Sequence, residues 1–213
     1  MARQKNLARR HEILRNTFML LKKRGMENVS LQMIADKSGI SYYPHKNLLI
    51  TEIVTNFMTA VLKSLNATDF KNLNTYSKMK IFIYLILEQG IQDEGVERVV
   101  KSILSDGDSL DRWSQILDDW LKHEGVKHDL GNDRQVQIGL NFIVTAGGGL
   151  YVKRTEFDLD ADQISDIMVK TFMSTFLSID ESKISQTLAE AKSALQKYEL
   201  TTLTQAINKM FDN

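Results

Sequence analysis

Apolar residues recur every three or four positions along most of the chain, a spacing typical of amphipathic α-helices. The first stripe consists of Ile13, Leu14, Thr17, Phe18 and Leu21. Gly25 follows it as a helix stop, and Gly39 closes a second, shorter helix. Ser30 stands before that second helix, where its hydroxyl can accept hydrogen bonds from the free amides of the first turn.

The same spacing continues beyond Pro44 and predicts longer helices. They cover residues 45–65, 78–90, 96–104, 110–121, 132–154 and 160–179. From Ile81 to Leu87 the chain is apolar without a break, so periodicity alone does not distinguish a strand from a buried helix. The helical neighbours on both sides favour the buried helix. The sequence therefore predicts an all-α protein.

The C-terminal stretch, residues 182–213, carries another apolar seam with alternating four- and three-residue steps. The seam consists of Ile184, Leu188, Ala191, Leu195 and Tyr198. A helix of this length can lie across a partner or across its own body, and the pattern leaves both arrangements open.

The amino-acid composition indicates the class of protein to which the chain belongs. Hydrophobic residues make up 43% of the chain and charged residues 25%, as in soluble globular proteins. The chain has no cysteine, which excludes disulfides and thiolate metal sites. No apolar run approaches the length of a membrane span, and the basic N-terminus lacks a signal-peptide core. These features predict a cytoplasmic protein without a membrane partner.

Charge is divided unevenly along the chain. Residues 1–46 hold ten Lys or Arg and three Asp or Glu, a balance of +7. The remainder holds 27 − 10 = 17 basic and 27 − 3 = 24 acidic residues, a balance of −7. A basic head on an acidic body is typical of a polyanion-binding domain joined to a larger one, although a solvated basic helix gives the same pattern.

The N-terminal third resembles the TetR family of bacterial transcriptional regulators. "ILRNTFMLLKKRGMENVSLQMIADKSGIS" is similar to that family's first two helices and turn, and "YYPHKNLL" to the motif that opens its fourth helix. The matching positions are Ile34, Ala35, Gly39, Ser41, Tyr43, Lys46 and Leu48 or Leu49. The resemblance implies a helix-turn-helix DNA-binding domain at residues 1–48 and a helical effector-binding and dimerisation domain at residues 49–213.

In a helix-turn-helix head, a recognition helix enters the major groove while flanking groups contact phosphates. The residues expected to contact a double-stranded DNA operator are Ser30, Gln32, Lys37, Ser41, Tyr42, Tyr43, His45 and Lys46. The two tyrosines and the amide end of the helix that begins near Lys46 suit phosphate contact.

The sequence departs from the family where the recognition helix should lie. Only four residues separate Gly39 from Pro44, too few for the two helical turns that reach base edges. Pro44 also biases Tyr43 away from the helical conformation. Either this is a real deletion that leaves a phosphate-binding head, or the intact protein carries a recognition segment that the sequence lacks. The intact flanks favour the second interpretation.

The resemblance also implies an effector pocket between the body helices and a homodimer formed by residues 133–154 and 160–179. Apolar and aromatic residues are expected to line such a pocket, although most will be core. The candidates are Phe82, Tyr84, Trp113, Leu117, Trp120, Phe142 and Tyr151. They predict an apolar or aromatic small-molecule effector.

Three consecutive glycines, Gly147, Gly148 and Gly149, lie in one of the predicted helices, where each costs about 1 kcal/mol relative to alanine. Three explanations account equally well for glycine at these positions. The glycines permit close approach at the dimer seam, form a kink that lines the pocket, or mark the end of the helix.

Signals for catalysis and metal binding are poor. His123 and His128 are five residues apart, which turns them away from each other on a helix. Asp106 begins an acidic turn, but Leu117 occupies the place of the last calcium ligand. "AGGGL" lacks the lysine of a phosphate loop. We therefore expect no catalytic residue, no metal site, no cofactor and no enzymatic activity.

The resemblance and the order of the helices together imply a ligand-responsive DNA-binding regulator, a homodimeric repressor that a small molecule releases from its operator. The alternative is a TetR-fold co-regulator or protein-interaction module that has lost sequence-specific DNA reading. The alternative predicts weak DNA binding at low salt, without discrimination between sequences.

Overall fold

The computed structural model describes residues 2–39, 45–66, 69–124 and 133–211. These residues form ten α-helices and contain no β-strand, so the predicted all-α class is confirmed. The helices are α1 (Ala2–Arg24), α2 (Leu31–Ser38), α3 (Lys46–Asn66), α4 (Thr75–Gln92), α5 (Glu94–Leu104), α6 (Gly107–His123), α7 (Asp133–Val152), α8 (Ala161–Thr171), α9 (Glu181–Leu195) and α10 (Leu200–Asn208). A short 3₁₀ helix, Asp69–Asn72, precedes α4, and a π-helical turn, Phe172–Phe176, extends α8.

Local signals place the helix ends as expected. Ser30 accepts a hydrogen bond from the Met33 amide at 3.2 Å and so caps α2. Gly25 and Gly39 adopt left-handed backbone angles, with φ of 76° and 61°, after α1 and α2. Such angles are strained for residues with a Cβ, so glycine is the natural stop at both positions. Asp106 caps α6 through the Ser109 amide.

Helix α4 lies in the centre of the protein and is buried on nearly every side. The unbroken apolar run from Ile81 to Leu87 is helical, as its neighbours indicated. A helix that faces protein in every direction needs no polar face, which is why its sequence shows no periodicity. Helices α5, α8 and α9 pack around it, and α3 and α10 complete the enclosure.

Two lysines enter this core from α4. The Lys80 ammonium is fully buried and lies 2.5 Å from Asp162 and 3.0 Å from Asp166, both on α8. Lys78 is also buried, and its ammonium lies 2.8 Å from the carboxylate of Glu124. A buried charge is tolerated only with such partners, so these ion pairs specify how α8 and the end of α6 face α4.

The N-terminal helices share one continuous core with the rest of the chain. Helix α1 packs against α5, where the Lys22 ammonium lies 3.0 Å from Asp93. The Met26 amide donates to the Ser102 hydroxyl at 3.3 Å. The predicted boundary after residue 48 falls within the first turn of α3, a helix that runs on into the core.

The C-terminal stretch folds back on its own chain, which resolves the choice that the sequence left open. Helix α9 packs on α4, and α10 packs on α3. Leu203, Ile207 and Phe211 form the buried face of α10 and the residues after it. The Phe211 ring meets Phe18 of α1 edge to face, with centroids 5.7 Å apart. The seam is interrupted because α9 ends at Leu195.

The three glycines of α7 have different neighbours. The helix continues through them to Val152, so the explanation that it ends there is wrong. A Cβ on Gly147 would lie 2.2 Å from the Met168 sulfur, and one on Gly148 would lie 3.2 Å from the Leu104 carbonyl oxygen. These two glycines permit close helix packing inside the chain. Gly149 has no neighbour within 4 Å of its Cβ position.

One helix in the described ranges, Lys46–Leu65 of α3, meets the length and composition of a membrane span, with a mean hydropathy of 1.4. The expectation that no apolar run comes close to a span was therefore too strict. Its apolar residues are largely packed inside the protein, and core helices of soluble proteins have the same composition. The composition of α3 is thus explained by its place in the core.

The ion pairs around Lys80 predict a large effect of its removal. We expect Lys80→Met to lower the free energy of unfolding by about 1–3 kcal/mol, since Asp162 and Asp166, which are partly exposed, lose the charged hydrogen-bond donor that ties α8 to α4. The matched control is Lys101→Met, which removes a half-exposed partner of Glu97 and is expected to change stability by about 0.5 kcal/mol or less. Urea unfolding measures both, and equal losses would contradict the structural role of Lys80.

Candidate functional site

Three polar contacts hold the N-terminal helices in one arrangement. Arg9 donates from Nη2 to the Gly39 carbonyl at 2.8 Å, which ties α1 to the end of α2. The Asn16 side-chain amide donates to the Ser38 hydroxyl at 3.3 Å. The Lys46 ammonium donates to the Met26 carbonyl at 2.6 Å, so the first turn of α3 is tied to the connection between α1 and α2.

The residues expected to contact DNA divide into three groups. Ser41, Tyr42 and Tyr43 lie outside the described residues. Ser30, Gln32 and Lys46 already have partners: Ser30 caps α2, Lys46 holds the Met26 carbonyl, and Gln32 donates to the Asp36 carboxylate at 2.6 Å. Lys37 and His45 are exposed, and neither side chain has an ion pair within the described ranges.

The start of α3 forms the wall of a shallow depression of about 450 Å³. His45, Lys46, Asn47 and Leu48 line it. The first-turn amides of a helix have no partner within that helix and attract anions. His45 therefore stands beside a group of donors that suits a phosphate oxygen.

Ion pairs reduce the positive charge that the count over residues 1–46 indicated. The Arg10 guanidinium lies 2.8 Å from Glu52, and Lys22 pairs with Asp93. Both carboxylates lie beyond residue 46, so the sequence count could not include them. Among the described side chains of this region, Lys23, Arg24 and Lys37 are exposed and have no such partner.

The seven candidates for an effector pocket do not share one environment. Five are buried in the core: Phe82, Trp113, Leu117, Trp120 and Tyr151. Tyr84 is half-buried, whereas Phe142 is 51% exposed and packs on Phe176 with ring centroids 5.5 Å apart. Aromatic residues of the same type at helical spacing thus lie in different places: Phe82 is in the core and Phe142 is at the surface.

Two buried donors among these candidates have no hydrogen-bond partner in the described part of the chain. They are the indole nitrogen of Trp113 and the hydroxyl of Tyr151. The Tyr151 hydroxyl lies against the backbone of α4 at Gly90, where a Cβ would be only 2.3 Å away. Burial raises the pKa of Tyr151, so this hydroxyl stays protonated. Unsatisfied buried donors are rare in folded proteins, and a water molecule or a polar ligand atom beside either one would be stabilised.

An exposed apolar stripe on α7 was not identified from the sequence. Ile138, Phe142 and Val152 are its large members, and Thr145 and Gly149 lie between them on the same face. The steps of four, three, four and three residues are those of a helix-packing seam. This spacing was visible in the sequence, but only the structure shows that Ile138, Phe142 and Val152 stay 53%, 51% and 39% exposed, although Phe142 also packs on Phe176.

No group of three or more His, Asp or Glu side chains with metal-binding geometry occurs in the described ranges. His123 is the last residue of α6, and His128 lies outside those ranges.

Compared with models of protein families, with curated proteins and with solved structures, the chain matches none. Its function must therefore be argued from its own residues.

Tyr84 predicts a pH dependence of stability. Burial, with contributions from Glu88, Asp162 and Asp160, raises its pKa to about 12, whereas an unfolded tyrosine titrates near 10. The unfolded chain therefore releases this proton first, and the free energy of unfolding falls as the pH rises from about 10 to 12. We expect Tyr84→Phe to show a smaller fall than the wild type when urea unfolding is repeated across this range. An equal fall in both proteins, measured against their values at neutral pH, would contradict the assignment.

Proposed function

We propose that this protein is a non-enzymatic, ligand-responsive transcriptional regulator that acts in the cytoplasm as a homodimer and represses by binding DNA. The observation that carries the proposal is the N-terminal arrangement. Helix α2 is capped by Ser30 and closed by left-handed Gly39, and Arg9 and Lys46 tie it to α1 and α3. This unit presents Lys37, His45 and the amide end of α3 to solvent.

The exposed stripe on α7 supports the homodimer. Ile138, Phe142 and Val152 would be covered if α7 packed against its copy around a two-fold axis. Gly149, with open space at its Cβ position, would let the two helix backbones approach closely. A dimer of this kind places two N-terminal units for two half-sites on one DNA molecule.

The unsatisfied donors support a small-molecule effector near α6 and α7. A ligand with an acceptor atom beside Trp113 or Tyr151 would satisfy a group that the described structure leaves without a partner. Helix α6 also contacts α3 directly, because Arg112 donates from Nε to the Thr55 hydroxyl at 3.0 Å. Binding at α6 would therefore shift α3 and, through Lys46, the N-terminal unit.

A second candidate function is favoured by the length of one connection. The full sequence holds only five residues, 40–44, between Gly39 and His45. These residues lie outside the described ranges, and their number is too small for two helical turns. A TetR-fold co-regulator that binds phosphates without reading bases, or acts through protein contacts, fits this length.

DNA binding is the test that separates the two candidates. We expect the full chain to select particular duplexes from a randomised library, and Lys37→Ala to weaken binding and reduce the salt slope by about 1. Lys183→Ala, at an exposed lysine of α9, is the control and should change neither. Fluorescence anisotropy against salt concentration gives both quantities. Equal affinity for every duplex would favour the co-regulator, and no binding at low salt would reject DNA binding altogether.

The oligomeric state tests the α7 stripe. We expect the wild-type protein to have twice the 24.4 kDa chain mass by light scattering and Phe142→Glu to be monomeric, since a buried unpaired carboxylate destabilises an interface. Phe157→Glu is the matched control, because Phe157 is equally exposed but lies beyond the end of α7. A monomeric wild type, or a dimeric Phe142→Glu protein, would contradict this interface.

A further inference from the structure

A cleft of about 560 Å³ lies between the 3₁₀ helix Asp69–Asn72, the end of α9 and the connection to α10. It is separate from the interior region of Trp113 and Tyr151. Its size lies within the range of small-molecule binding sites, and its lining is about half apolar and half polar.

Tyr198 gives one wall of the cleft an aromatic surface, and it packs on Phe70, which is buried with 2% of its surface exposed. The rings of Phe70 and Tyr198 lie 5.0 Å apart between centroids at a tilted angle. Leu73 and Ala194 extend this wall with apolar surface. Burial raises the pKa of Tyr198, so its ring remains a neutral phenol at physiological pH. The face of a neutral aromatic ring can bind a cation as well as another aromatic ring.

A carboxylate lies in the cleft and has only neutral partners. Glu190 accepts hydrogen bonds from the Asn74 side-chain amide and, at 2.5 Å, from the Ser77 hydroxyl. These contacts orient the carboxylate at the start of α4 without supplying a positive side chain. No Lys or Arg of the described ranges forms an ion pair with Glu190, and Glu190 is one of the residues that line the cleft.

A second carboxylate stands at the other end of the lining. Glu199 occupies the N-cap position of α10, yet its side chain makes no capping hydrogen bond. Lys197 is the one positive side chain of the lining, and it forms no ion pair with either glutamate at the distances of the described structure. The lining therefore carries a net charge of −1 beside the ring of Tyr198.

We propose that this cleft is a binding site for a small organic cation, a protonated amine with an aromatic body. The ammonium group would donate to Glu190, whose orientation is already set by Asn74 and Ser77. The aromatic body would lie against Tyr198, Leu73 and Ala194. This site does not depend on DNA binding, and neither the N-terminal unit nor the interior candidates take part in it.

Occupancy would also affect the C-terminal helices. The cleft is built partly from residues 196–199, which connect α9 to α10. Helix α10 in turn covers α3 and brings Phe211 to Phe18. A ligand that bridges α9, α10 and the 3₁₀ helix would hold this C-terminal cover in place.

The test uses the full-length protein and three probes of similar shape but different charge: phenethylammonium chloride, 2-phenylethanol and 3-phenylpropionate. In a ¹H–¹⁵N NMR titration we expect saturable shifts at Ala194 and Lys197 with the ammonium probe. Gly149 of α7, which does not line the cleft, should not shift. The neutral alcohol should bind about tenfold more weakly, and the anion more weakly still.

Two variants that are expected to change the affinity for the ammonium probe in opposite directions extend the test. Glu190→Gln keeps an acceptor for Asn74 and Ser77 but removes the charge, and we expect about tenfold weaker binding of the ammonium probe. Lys197→Gln removes the competing positive charge and should strengthen binding about two- to threefold. Glu181→Gln, at the exposed start of α9, is the control and should leave affinity unchanged. Unsaturable shifts, equal binding of ammonium and alcohol, or unchanged affinity in Glu190→Gln would each overturn the proposal.

Discussion

The enclosure of α4 is the constraint on which the rest of the structure depends. A helix with protein on every side must find a partner for each polar group it brings into the core. Lys80 therefore determines where Asp162 and Asp166 lie, and with them the face that α8 turns inward. Gly90 has the opposite role: it presents no side chain, which lets the Tyr151 ring of α7 reach the α4 backbone.

This packing holds the N-terminal helices against the rest of the chain, which a flexible linker would not do. Helix α1 is held at α5 by Lys22 and Asp93, and the ring of Phe211 covers Phe18 from the C-terminal end. Helix α3 connects the two regions, because it begins at the N-terminal unit and runs on into the core. Rigid contacts of this kind suit a protein that transmits a small internal shift to a distant surface.

The positive charge of the N-terminal region is smaller in the folded protein than the count of its basic residues indicates. The excess of basic residues in the first 46 positions is real, but Glu52 and Asp93 enter the same region from later helices. Lys46 was expected to contact phosphate, whereas its ammonium holds the Met26 carbonyl. The basic side chains left at the surface are fewer, and Lys37 is the only one among them that was named as a DNA contact. The sequence thus indicated which residues could contact an anion, but not which of them already have partners within the chain.

The sequence by itself determined the helices and most of their ends, because caps such as Ser30 and stops such as Gly39 act within a few residues. It also determined that the class is all-α, because apolar spacing is a local property. Only the tertiary structure decided that Phe82 is core while Phe142 is surface, and that the C-terminal helices return to their own chain. Those outcomes depend on contacts between residues that are far apart in the sequence, and the local spacing of apolar residues does not specify such contacts.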